Sequence, residues 1–153
     1  MKNLLSEAGS IRISRWMVLA FAVLLAVLDL SGPWFVAFVC KNVVLHTGAQ
    51  FSVPLLVCLY ACSLPGYLVL YDLYRILKNL EASAVFVPDN VMRMRRVSWC
   101  CMAVSLICLV CSTVWVSLLV VTLAAALMGL IVRIVKNVFV RAIHMKDELD
   151  LTI

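Results

Sequence analysis

Charged side chains are scarce in this chain, and residues 97–132 contain none at all. Asp, Glu, Lys and Arg make up 14% of the residues, whereas soluble domains contain about 25%. One helical crossing of a bilayer takes about 20 residues, so the uncharged run is too long for one crossing and suits two joined by a tight turn. A chain of 153 residues could not bury this run in a soluble core. The shortage of charge therefore excludes a soluble domain and indicates an integral membrane protein.

Recognisable enzyme motifs are also missing from the sequence. The chain has five glycines, eight acidic residues and two histidines, and it contains no Gly-rich phosphate loop, nucleophile elbow or zinc-binding His-Glu-x-x-His motif. His46 and His144 have no Cys or Ser nearby in sequence that could complete a catalytic pair. We therefore expect a non-enzymatic protein without catalytic residues, a cofactor or a metal site.

The seven cysteines allow two interpretations. Cys58 and Cys62, and likewise Cys108 and Cys111, are spaced to share one helix face, which would suit a metal or redox site. However, no His or carboxylate accompanies them, and most of the seven lie in apolar segments, where Cys behaves as a small hydrophobic residue. We favour this second interpretation, and the odd number of cysteines argues against a disulfide framework.

Apolar residues are what the sequence has in excess. They make up 65% of the chain, and the mean hydropathy is +1.10. Four transmembrane helices are predicted, at about 16–38, 51–71, 97–114 and 117–135, with a turn near 112–116. Pro33 and Pro65 fall inside the first two spans, where we expect kinks or helix ends. The predicted fold is an all-α integral membrane protein with a single domain over residues 1–153.

The distribution of cations predicts the orientation. All 13 Lys and Arg except Lys41 fall on one side of the four spans. The positive-inside rule then gives cytoplasmic termini, a cytoplasmic loop at 72–96 and a cytoplasmic tail at 136–153. Topology and the lipid bilayer, through its anionic lipids, explain the net charge of +5, so we expect no direct binding of nucleic acid.

The predicted loop has internal order. Apolar residues recur at helical spacing in 71–84, so span two should continue as an amphipathic helix to about Ser83. Pro88 disfavours helix at the residue before it, and Asp89 or Asn90 can cap the helix that follows.

Asp29 is the single acidic residue that the sequence places inside a span. An intramembrane carboxylate is by default a hypothesis for a proton or cation site. It lies five residues before Trp34, however, near the predicted outer interface, where it could simply meet water, Ser31 or Lys41. Span two also carries a band of tyrosines, which could line a ligand path or pack at the interface: Tyr60, Tyr67, Tyr71 and Tyr74.

Residues 86–101, FVPDNVMRMRRVSWCC, resemble the signature of a bacterial four-span membrane family, the domain of unknown function number 2975. The family pattern is a Phe, an Asn four residues later, then Leu-Arg and Ile-Ser entering the third span. Phe86, Asn90, Arg95 and Ser98 match it, and Met and Val replace the Leu and the Ile.

The carboxyl end resembles the same family, whose chains tend to close with Asp-Leu-Thr-Ile. This chain ends MKDELDLTI, with Leu149 where the family usually has Asn. The matching residues are Asp150, Leu151, Thr152 and Ile153.

The resemblance implies a protein of the bacterial cytoplasmic membrane in a family without an established activity. Its members are often encoded beside small helix-turn-helix regulators, which suggests a sensor or regulator that acts on such a partner through its cytoplasmic face. The alternative is a small transporter or efflux subunit that uses Asp29, although polar side chains are few in the last two spans. A homo-oligomer is left open. We expect one cytoplasmic cluster, which docks on the chain's own loop or on a partner: Phe86, Asn90, Arg95, Asp150, Leu151, Thr152 and Ile153.

Overall fold

The computed structural model describes residues 2–43, 52–82, 87–113 and 116–150. Every regular element in these ranges is a helix, because long apolar segments in lipid must satisfy their backbone hydrogen bonds internally. The helices are α1 (Lys2–Leu30), α2 (Gly32–Val43), α3 (Ser52–Glu81), α4 (Pro88–Cys111) and α5 (Leu118–Asp150).

Four of these helices are long and apolar enough to cross a membrane. The crossing segments are Ile11–Leu30, Val53–Glu81, Pro88–Cys111 and Leu118–Lys146. They confirm the predicted all-α fold with four spans, and the chain is a multi-pass membrane protein by this criterion. The inside-outside orientation stays a prediction from charge. We therefore name the two ends by content: the basic end holds the α3–α4 connection, and the turn end holds the α4–α5 connection.

The predicted first span, 16–38, is two helices. α1 ends at Leu30, and α2 starts at Gly32 and continues to Val43. The backbone hydrogen bond from Phe35 N–H to the Ser31 carbonyl keeps the two helices joined without a loop. Pro33 lies in the first turn of α2, where its missing N–H costs nothing. The expected kink is thus a helix boundary, and Pro65 lies inside α3.

Most of the predicted loop at 72–96 is helical. α3 continues to Glu81, as the amphipathic pattern predicts, and α4 starts at Pro88. The predicted cap of α4 is wrong: Val87 is the N-cap residue, in an extended conformation, and no side chain caps the helix there. Asn90 lies inside the first turn, and its backbone N–H bonds to the Val87 carbonyl.

As far as Asp150, the predicted tail at 136–153 continues the fourth span. α5 runs without interruption from Leu118 to Asp150, about 50 Å at the usual rise per residue. That length exceeds the hydrocarbon core of a bilayer, about 30 Å. At the turn end, α4 stops at Cys111, so the described residues confirm the predicted turn between the last two spans.

The helices pack as a row in the order α1, α3, α4, α5, with α2 against α1 and α3. Neighbours in the row run antiparallel. The α4–α5 contact is built on small residues: a Cβ on Gly129 would lie 3.2 Å from the Cys101 Cβ. Two hydroxyls of α4 donate to carbonyls of α5, Ser98 to Gly129 at 2.9 Å and Ser105 to Thr122 at 3.1 Å.

Large apolar side chains mostly point outward. Leu30 and Trp34 are each 86% exposed, and the buried apolar residues in the described part of the chain are few: Val36, Cys58, Val97 and Cys108. In lipid, apolar exposure carries no penalty, and helices associate through close packing and hydrogen bonds. Close packing and the polar contacts between helices therefore hold this protein together.

Candidate functional site

A groove of about 710 Å³ opens on one side of the row toward the turn end. All five helices contribute to its wall, which is largely apolar. Its polar or sulfur-containing lining residues are Asp29, Cys58, Cys62, Ser63, Cys108 and Ser117. A mostly apolar concavity with a few polar groups is the usual form of a small-molecule site.

Asp29 is held at the edge of this groove by two tyrosines of α3. The Tyr67 hydroxyl donates to Asp29 Oδ2 at 3.0 Å, and the Tyr60 hydroxyl donates to the Asp29 backbone carbonyl at 3.0 Å. Gly32 permits this approach, because a Cβ there would lie 3.2 Å from the Tyr60 Oη. Asp29 Oδ1 is buried and has no hydrogen-bond partner among the described residues.

This environment differs from the one expected for Asp29. The Ser31 hydroxyl donates to the carbonyls of Val27 and Leu28 within α1, so it is not engaged with the carboxylate. The structure instead joins two features that the sequence offered separately, the lone carboxylate of span one and the tyrosine band of span two. Tyr60 and Tyr67 are seven residues apart and so lie on one face of α3.

A second polar group lies between α3 and α4 at the basic end. Asp72 is only 1% exposed, and its Oδ1 accepts from Arg93 Nη1 at 3.2 Å and Arg96 Nη1 at 3.5 Å. Arg93 Nε also donates to Asp89 at 2.9 Å. Asp72 Oδ2 is buried without a hydrogen-bond partner in the described structure. Two carboxyl groups and two guanidinium groups thus share one partly buried site.

Asn90 belongs to the same interface. Its side-chain oxygen accepts from the Asn79 amide at 2.7 Å, and Asn90 is 1% exposed. Asn79 is seven residues after Asp72, so both side chains project from one face of α3 toward α4. The family-signature residue Asn90 therefore links the helices instead of capping one of them.

Contacts between α1 and α3 extend the polar region to the first helix. Arg15 Nη1 bonds to Glu81 Oε2 at 2.8 Å and lies over the Tyr74 ring, 5.7 Å from its centroid. On α3 itself, Arg75 Nε donates to the Tyr71 hydroxyl at 3.1 Å. Of the four tyrosines in the predicted band, Tyr60 and Tyr67 therefore donate to Asp29, and Tyr71 and Tyr74 contact arginines.

The predicted cytoplasmic cluster is only partly within the described residues. Arg95 is exposed and lines a pocket of about 290 Å³ with Arg133 and Lys136 of α5. Asn90 faces α3, so the structure places these two members against different helices. Phe86 and residues 151–153 lie outside the described residues, as does the side chain of Asp150. The cluster as a whole stays a prediction.

Asp72 is the functional candidate that the sequence interpretation missed. The predicted second span ends at residue 71, so Asp72 is the first residue of the predicted loop. The spacing in the sequence does indicate this pairing. In an antiparallel pair of helices joined at 82–87, Asp72 lies level with Arg93 and Arg96. These two arginines are three residues apart and share a helix face.

Comparison with known protein families gives a match over most of the chain. The model of a family described as "Protein of unknown function (DUF2975)" matches residues 44–153, which include both stretches that carry the resemblance and all of α3, α4 and α5. No curated protein and no solved structure matches the chain.

Proposed function

The chain belongs to this family of unknown function, and from that premise we propose that it is a non-enzymatic membrane sensor whose basic end acts on a small DNA-binding regulator. The bacterial cytoplasmic membrane is its proposed location, with the basic end in the cytoplasm as the positive-inside rule requires.

One observation carries this proposal: α3 lines the groove and also supplies the buried carboxylate of the charged network. Tyr67 holds Asp29 at the edge of the groove, and Asp72 binds Arg93 and Arg96. Tyr67 and Asp72 are five residues apart, about 7.5 Å along the helix. A ligand in the groove that rotates or shifts α3 would therefore change the α3–α4 contact at the basic end.

The basic end also carries cations that could engage a partner. Arg95, Arg133 and Lys136 surround the small pocket between α4 and α5. Opposite charge on a partner would steer its approach and fix its orientation. We expect the partner surface to be acidic and separate from its DNA-binding face, which must itself be basic.

Co-purification from native membranes tests the proposal. The tagged chain should bring down a small DNA-binding protein, and Asp72→Asn should reduce the recovered amount several-fold. Asp89→Asn, which removes an exposed carboxylate bound to the same arginine, is the matched control and should leave recovery unchanged. If the natural chain recovers no DNA-binding protein, or if the two variants behave alike, the regulatory role is wrong.

The alternative function is transport, and the unpartnered Asp29 Oδ1 at the groove favours it. Other polar groups weigh against a path through the protein. Ser105 and Thr122 donate their hydroxyls to backbone carbonyls of α5, and Thr113, just after α4, donates its hydroxyl to the Val110 carbonyl.

Reconstituted vesicles separate the two functions. If Asp29 couples transport, the natural chain should support proton-dependent flux and Asp29→Asn should abolish it while the protein still inserts. We expect neither chain to support flux. Flux that depends on Asp29 would replace the sensor with the transporter.

A further inference from the structure

Three thiols from two helices converge at the floor of the groove. The Sγ atoms of Cys58, Cys62 and Cys108 all lie within 4.8 Å of one another, and Cys62 Sγ is 3.8 Å from Cys108 Sγ. Cys58 and Cys108 are each only 4% exposed. The i, i+4 spacing on α3 puts the first two thiols on one face, and the antiparallel packing of α4 brings the third against them.

This arrangement has the dimensions of a three-sulfur metal site. With metal–sulfur bonds of about 2.3 Å, three ligands in a plane around one ion are separated by about 4.0 Å. The observed separations need only small side-chain adjustments to reach that geometry. Cys111 is one turn further along α4 and interacts with Cys58, but it is not part of the mutually close set.

The donor set selects the kind of ion. Thiolates are soft ligands that prefer Cu(I), Zn(II) and iron–sulfur clusters. Structural Zn(II) takes four ligands in a tetrahedron, whereas the close set here supplies three. Iron–sulfur clusters are held by four cysteines. A soft monovalent ion with a low coordination number is the best fit.

We propose that Cys58, Cys62 and Cys108 form a binding site for Cu(I) within the membrane-spanning part of the protein. The groove gives the ion a route to the thiols, because all three residues line it together with Asp29. The Asp29 carboxylate, with one oxygen unpartnered in the described structure, would attract a cation into the groove.

Cysteine binds metals as the thiolate, so uptake of Cu(I) by the three sulfurs releases their thiol protons to water. No oxidation or reduction is involved.

A Cu(I) site deepens the proposed function by naming the class of ligand that the groove takes. The metal site itself stands on the geometry of the thiols, and only its effect on a regulator rests on the proposed function. Cys62 and Cys108 join α3 to α4, so a bound ion would tighten the interface that contains Asp72. Metal binding is measured directly on the purified chain, and regulator binding is measured separately by co-purification. Either result can therefore be negative while the other is positive.

The test is anaerobic titration of the full chain in detergent with Cu(I), in competition with a chromophoric Cu(I) chelator. We expect one Cu(I) per chain with an X-ray absorption spectrum of three sulfur ligands. Cys62→Ser and Cys108→Ser should weaken binding by more than the roughly 10–100-fold that loss of a supporting contact around a metal typically costs. Zn(II) should bind more weakly than Cu(I).

Cys100→Ser is the matched control, because Cys100 is on α4 but outside the thiol cluster, and it should bind as the natural chain does. Cys62→Ala and size-exclusion profiles guard against a folding defect caused by serine. The proposal is overturned if the reduced chain does not compete for Cu(I), if the control variant loses binding equally, or if Zn(II) binds more tightly.

Discussion

The two interfaces of α4 are built in opposite ways. Toward α5, hydroxyls of Ser98 and Ser105 donate to backbone carbonyls, and Gly129 lets the helices approach closely. Toward α3, the contacts at the basic end are the ion pairs of Asp72 with Arg93 and Arg96 and the amide pair Asn79–Asn90. At the turn end, the contact is between the thiols of Cys62 and Cys108.

The difference lies in how completely the polar groups are satisfied. The α4–α5 hydroxyls have partners that require no charge and little side-chain ordering. At the α3–α4 interface, Asp72 Oδ2 is buried without a hydrogen bond in the described residues, which is an energetic cost. We infer that α4 and α5 form a fixed pair and that α3 is the helix a ligand can shift.

The largest expected effect comes from Asp72→Asn, which leaves Arg93 and Arg96 without their shared carboxylate. Breaking a buried pair on one side costs about 3–5 kcal/mol. We expect the low end of that range, because Arg96 has a side chain that is 57% exposed and can turn to solvent. Unfolding midpoints in mixed micelles with increasing denaturing detergent measure the loss.

Asp89→Asn is the comparison variant for Asp72→Asn. Asp89 is 44% exposed and bonds to Arg93 at i, i+4 spacing, a kind of pair that contributes about 0.3–0.5 kcal/mol. Equal losses in the two variants would mean that burial of Asp72 has no energetic consequence.

An intermediate effect is expected from Gly129→Val, which tests the close approach of α5 to α4. The new side chain meets Cys101 and Met102 at 3.2 and 3.4 Å from its Cβ, and overpacking of this kind costs about 1–3 kcal/mol. The same detergent titration applies. Gly9→Val is the control, since a Cβ at Gly9 has no atom within 4 Å. Similar behaviour of both variants would contradict the fixed α4–α5 pair.

The smallest effect is expected from Ser105→Ala, which removes the hydrogen bond to the Thr122 carbonyl. Interhelical hydrogen bonds in a membrane protein average about 0.6 kcal/mol, so the shift in midpoint should be just measurable. Ser112→Ala removes only a local bond at the end of α4, from the C-cap hydroxyl to the Leu109 carbonyl, and should not weaken helix pairing. A loss at Ser105 as large as that at Asp72 would reverse the proposed ranking of the two interfaces.

The number of spans was predictable because lipid imposes a length and a composition on every crossing segment. The uncharged run at 97–132 could only be two helices with a turn. The helix ends were harder to predict from the sequence. The extension of α3 to Glu81 followed from periodicity, whereas the N-cap of α4 depended on whether Asn90 turns toward its own backbone or toward Asn79.

The polar sites depended on pairing between helices, which the sequence does not display directly. Asp29 was recognised by its position alone, but its tyrosine partners are about 30 to 40 residues away along the chain and meet it through the α1–α3 register. The sequence interpretation pairs the cysteines only within each helix and favours small apolar residues over a metal site. Their convergence follows from the register of α3 against α4, which also brings Asp72 to its arginines.

The position of Asp29 has a consequence for synthesis of the chain. Ribosomes release α1 before α3 exists, so this carboxylate must enter the bilayer without Tyr67. At the centre of an isolated span, Asp opposes insertion by about 2.5–3.5 kcal/mol. Asp29 is one residue from the end of α1, far from the centre of that helix. The first helix can therefore insert before α3 and form its tyrosine contacts later. The same carboxylate two turns deeper in α1 would oppose insertion until α3 has been translated.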